Sequence, residues 1–111
     1  MNFLDYQHRT ADTAIYPGAG NLVGLTYTTM GLAGETGEIC NKVKKIWRDH
    51  DGVVSDEMAQ VLGGELGDVL WYISQLATEL GLSLESVARA NITKLADRKE
   101  RNVLGGSGDQ R

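Results

Sequence analysis

Apolar residues in this chain recur at helical spacing along most of its length, and the breaks between the periodic runs divide it into four predicted helices. The first covers about residues 2–14 and ends before Pro17, the only proline, with Gly18 and Gly20 behind it. The second starts near Asn21, a suitable N-cap, and runs to about His50, where Asp51-Gly52 signals a turn. The third covers about 56–80, with Asp56 as its expected cap and Gly81 as its C-terminal glycine. Ser83 opens the fourth, which continues to about Asn102. Strand signals are absent: VGLTYTT is β-prone but leads without a break into helical periodicity. No solenoid-type repeat occurs. The expectation is one all-α domain over 1–111, a four-helix bundle-like chain, with the glycine-rich 103–111 as a mobile tail.

At roughly 100° per residue, Leu25, Leu32, Ile39, Val43 and Ile46 form one face of the second helix. Met58, Leu62, Leu66, Val69, Ile73, Leu76 and Leu80 form the matching face of the third. Two acidic pairs stand at the same place relative to these faces. Glu35 and Glu38 follow Leu32 by three and six residues, and Glu65 and Asp68 follow Leu62 by the same intervals. Both pairs therefore border the core at about 60° and 120° from its centre. Either pair alone is what any solvated helix face carries. Two pairs on adjacent antiparallel helices would bring four carboxylates into a small volume, which is costly without a cation. An all-oxygen set without His or Cys suits Mg²⁺ or Mn²⁺ better than zinc or copper, and Mg²⁺ completes its shell with waters and substrate phosphates.

Composition narrows the partners. The net charge is −4 with no basic run, so the footprint of a nucleic-acid polymer binder is missing. Cys40 is the only cysteine, which excludes an internal disulfide and a cysteine zinc site and suggests a small core residue. The N-terminus MNFLDYQHRT lacks an apolar signal core and no run approaches a membrane span. A cytoplasmic protein is expected.

The pattern E-x-x-E, 26 intervening residues, then E-x-x-D resembles the MazG-like nucleoside triphosphate pyrophosphohydrolases of the all-α NTP pyrophosphatase superfamily. DYQHRTADTAIYP, GLAGETGEICNKVKKIWRD, GELGDVLWYISQLATELGLSLESV and NITKLADRKERNVLGGSGDQR are similar to family segments in family order, so nearly the whole chain is covered. Many members open the first motif with two adjacent glutamates; here Gly34 precedes Glu35, as in a phage- and bacterial-type branch, so a carboxylate that would either support a metal ligand or hold a second metal is missing, and the number of metal ions stays open. The resemblance implies hydrolysis of a (deoxy)nucleoside triphosphate between the α- and β-phosphates, for nucleotide-pool cleaning or control of deoxynucleotide levels. It implies that Glu35, Glu38, Glu65 and Asp68 hold Mg²⁺ against the phosphates, that Glu38 helps deprotonate water, and that the chain assembles as a homodimer or homotetramer.

Other side chains have two readings each. Tyr72, one turn beyond Asp68, either reaches a phosphate or sugar or packs its ring. Asn91, Lys94 and Arg98 share a stripe that is either a salt-bridged face or, through the family's N-x-x-K, a phosphate contact. Lys42 pairs with Glu38 as an i, i+4 neighbour or meets phosphate. Trp47 and Trp71 are core, interface or base-stacking residues; His8 and His50 have no partners at ligand spacing. Gly31, Gly34 and Gly37 leave room for a neighbouring helix or a nucleotide beside the acids, since each costs a helix roughly 1 kcal/mol relative to alanine. Two alternatives stay open: a hydrolase of a related phosphate such as phosphoribosyl-ATP, and a non-catalytic helical nucleotide-binding or interaction module.

Overall fold

A computed structural model describes residues 1–111 and contains four helices: α1 (Phe3–Ala11), α2 (Leu22–Asp49), α3 (Asp56–Glu79) and α4 (Leu84–Glu100). The chain is all-α. Each helix starts on a side chain that accepts a hydrogen bond from an otherwise unpaired amide: Asn2, Asn21, Ser55 and Ser83. For α3 this corrects the expected cap. Ser55 takes the Met58 amide, and Asp56 becomes the first helical residue, where its charge suits the positive helix end. α3 ends as expected at Gly81, whose φ of +70° allows Leu82 N–H to bond Ala77 O at 2.8 Å.

α2 and α3 form a long antiparallel hairpin through the Asp51-Gly52 turn, and their contact dominates the tertiary structure. The register descends in pairs: Gly24 beside Glu79, Gly31 beside Tyr72, Lys42 beside Glu65. α1 packs on α3, and α4 packs on α1 and the end of α3; α4 does not touch α2. The four helices are thus arranged openly, with a radius of gyration of 16.8 Å against about 13 Å for a compact chain of this length.

The interior is small and unusually polar. Ten residues are buried, and only Tyr16, Ile46, Ala77 and Leu84 among them are hydrophobic. Of the predicted apolar faces, Ile46 is buried, while Val43, Leu66, Ile73 and Leu80 are exposed. Cys40 is exposed too, contrary to its expected place in the core, because nothing packs on that side of α2 within one chain. Where α1 meets α3, a polar seam replaces the apolar core. Thr10 Oγ1 lies 2.8 Å from Ser74 Oγ and 2.7 Å from Gln75 Oε1. Gln75 donates to Tyr16 Oη at 3.2 Å, and Tyr16 donates to Glu79. No buried side-chain polar atom lacks a partner.

The segment 103–111 is hydrogen-bonded back along α4. Asn102 adopts φ +61° and Val103 N–H bonds Arg98 O at 2.9 Å, closing the helix end as glycine usually does.

Candidate functional site

The hairpin register brings Glu35 of α2 together with Glu65 and Asp68 of α3, each offering an oxygen within 4.8 Å of the others. Glu35 and Glu65 are half-buried and Asp68 is exposed. Partial burial, then the charges of Asp68, Glu65 and Glu38, hold the Glu35 carboxyl above its ordinary value. Three carboxylates converging within 4.8 Å form a set that a hard divalent cation would relieve, so the donor set fits Mg²⁺ or Mn²⁺.

Glu38 departs from the expected four-carboxylate set. It is exposed and outside the group of three, although its charge still reaches Glu35. Three residues of helix rotate it about 60° further from Glu35. Lys42, expected to pair with Glu38 one turn away, instead crosses the hairpin to Glu65, with Nζ 3.4 Å from Oε1. That bond gives Glu65 a cationic partner and leaves Glu38 without one.

Above the acids the cleft continues between Thr13, Trp71 and Tyr72, which with Glu35 and Asp68 line a hollow of about 320 Å³. Tyr72 explains Gly31, because a Cβ at that position would lie inside the edge of the Tyr72 ring. Gly34 and Gly37 face open space within the chain, so the room they leave is not taken by α3. Burial, the neighbouring Tyr27 and the charges of Glu35 and Asp68 push the Tyr72 phenol above its usual value, so it stays a neutral donor. Trp71 meets the Tyr72 ring edge-on at 5.0 Å and donates from its indole N–H to Thr13 Oγ1 at 2.8 Å. Trp71 is therefore a cleft wall, whereas Trp47 is 78% exposed on the far part of α2.

Thr13 was not legible in the sequence as a site residue. It belongs to the strap between α1 and α2, which Glu79 ties down through Tyr16 and through Gly20 N–H at 2.9 Å. Tyr6 was also missed: burial and then the Asp68 charge raise its phenol, which puts α1 within electrostatic reach of the acids. The match of DYQHRTADTAIYP to the family was the one hint that this segment reaches the site.

The α4 stripe stands apart. No α4 residue lines the acidic cleft. Asn91 is exposed, and Lys94 and Arg98 are engaged by Asp109, 3.0 Å from each, in a salt-bridged arrangement.

Fold and site together define an all-α chain whose antiparallel helix pair carries a carboxylate cluster beside an aromatic cleft. Residues 24–103 match the MazG nucleotide pyrophosphohydrolase domain, and the chain belongs to that family. It is 56% identical over 109 residues to the Gene 37 protein of Mycobacterium phage L5, covering 96% of each chain. No solved structure matches it. No helix is long and apolar enough to cross a membrane.

Proposed function

We propose that the chain is a Mg²⁺-dependent pyrophosphohydrolase of (deoxy)nucleoside triphosphates, cleaving between the α- and β-phosphates to release a monophosphate and pyrophosphate. The convergence of Glu35, Glu65 and Asp68 within 4.8 Å beside the aromatic cleft carries this reading. Glu35, Glu65 and Asp68 would hold the cation. A bound divalent ion supplies charge neutralisation for the phosphates and acidifies water.

The remaining roles belong to the protein. Glu38, next to the cluster but free of it, is the carboxylate available to accept a proton from the attacking water. The neutral Tyr72 phenol offers a hydrogen bond to a phosphate or sugar oxygen. Lys42, now bound to Glu65, can turn to a phosphate once the cation neutralises that carboxylate. Phosphoryl transfer needs chiefly such positioning and charge stabilisation.

Assembly completes the site in this reading. Asn91 and Lys94 do not reach the acids of their own chain, and the apolar surface left exposed on α2, α3 and α4 suits a homodimer or homotetramer. The acids of one chain would then face α4 of another.

A panel of ribo- and deoxynucleoside triphosphates and phosphoribosyl-ATP, assayed for pyrophosphate release with Mg²⁺ and with EDTA, tests the proposal. Mg²⁺-dependent release from one or more triphosphates is expected. Release from phosphoribosyl-ATP alone would favour the related hydrolase, and binding with no release would favour a nucleotide-binding module.

A further inference from the structure

The segment 103–111 closes on itself. The Arg111 guanidinium donates to the carbonyls of Val103 at 2.9 Å, Leu104 at 3.1 Å and Gly108 at 2.5 Å. At the C-cap of α4, Arg101 donates to Arg111 O at 2.8 Å, and on the helix itself the loop presents the Asp109 carboxylate. A single oxygen, Oδ1, takes both Lys94 Nζ and Arg98 Nη2 at 3.0 Å, and Arg98 also donates to the Asp109 carbonyl at 2.6 Å.

The exposures within this cluster are unequal. The Arg98 side chain is 6% exposed and Lys94 42%, but Asp109 is 75% exposed. A buried guanidinium requires an anionic partner, since leaving it alone is strongly unfavourable. An exposed carboxylate held by its edge is the replaceable member of such a set. A phosphate group carries more charge than the carboxylate and offers separate oxygens to the lysine and to the planar guanidinium fork, where Asp109 makes them share one.

We propose that Asp109 acts as an internal anion on the Lys94–Arg98 pair, which the family resemblance already offers to a phosphate, holding the pair in the resting chain and leaving when a phosphate group enters. The 103–111 loop is then a displaceable internal anion. The proposal rests on the reading of the chain as a protein that handles phosphorylated ligands, and it adds a competitor for that ligand within the chain.

The test uses the full-length protein without metal, titrated calorimetrically with inorganic pyrophosphate and separately with an α,β-methylene deoxynucleoside triphosphate. Asp109→Asn should bind one or both about two- to fivefold more tightly than wild type, the span that exposed ion pairs cover. Adding Lys94→Gln should remove the gain. In wild type, saturating ligand should speed amide exchange over residues 103–109. Tightening for both ligands identifies a bare phosphate as sufficient; tightening for the nucleotide alone identifies its triphosphate as the occupant. Equal affinities in wild type and Asp109→Asn, or unchanged exchange at saturation, would overturn the latch. Displacement without turnover of any triphosphate would retire the hydrolase reading and keep the latch, whereas turnover without displacement would do the reverse.

Discussion

Glu35 shows how much one side chain depends on its neighbours. Its carboxyl is raised first by burial and then by three other carboxylates, so the charged form is strained in the metal-free fold. Glu35→Gln should therefore abolish Mg²⁺-dependent pyrophosphate release yet leave helicity intact. It should also raise the metal-free melting temperature by roughly 1–3 °C, the scale of a relieved surface repulsion. Circular dichroism with a pyrophosphate assay reads all three; retained activity would remove Glu35 from the site. The glycines separate in the same way. Gly31→Ala meets the Tyr72 ring and should cost about 1–3 kcal/mol, as overpacking does. Gly34→Ala meets nothing in the chain and should stabilise it by up to roughly 1 kcal/mol through helix propensity. Urea unfolding of the two variants checks the contrast. If Gly34→Ala instead dissociates an assembly, another chain lies against that position.

At the scale of elements, what the sequence made legible was local. Asn21, Ser83 and Gly81 act where their residue types place them, because capping is decided within a turn of chain. The acidic pairs were found through their spacing from Leu32 and Leu62, and three of those four carboxylates meet. What spacing could not give was register across the hairpin. That register sends Lys42 to Glu65, leaves Glu38 outside and lets Tyr72 take the space of Gly31. Thr13 enters the cleft on a strap whose position depends on Glu79, 66 residues away along the chain and invisible to any periodicity. The 103–111 loop is a second case, because its contact with α4 runs through Asp109 to Lys94 and Arg98. Lys94 and Arg98 hold the Asp109 carboxyl below its ordinary value of 3.8. A lowered folded-state value means that this contact contributes fully above pH 3.8 and is lost as pH falls through the lower folded value. Amide exchange of 103–109 should accordingly rise only in acid below about that pH, and Asp109→Asn should exchange fast at neutral pH as well.

At the scale of the whole molecule, much apolar surface is left uncovered within one chain. Leu22, Met30, Trp47, Leu66 and Ile92 are each between 59% and 78% exposed, and four hydrophobic residues are buried in a chain of 111. A monomer with so little apolar burial would be marginal. Sedimentation equilibrium should give a mass of two or four 12.1 kDa chains, and Trp47 emission should shift to the red on dilution as the assembly dissociates. A stable, well-folded monomer at micromolar concentration would overturn the shared-site arrangement.

The polar seam between α1 and α3 has a consequence for accuracy. An apolar interface tolerates sliding, because one methyl substitutes for another. A slip of one turn here would strand Thr10, Ser74 and Gln75 without partners, at about 1–3 kcal/mol for each group. The seam therefore acts as a keyed joint that accepts a single alignment. Because the strap carrying Thr13 hangs from that joint, the cleft wall is indexed to its correct place before any ligand arrives.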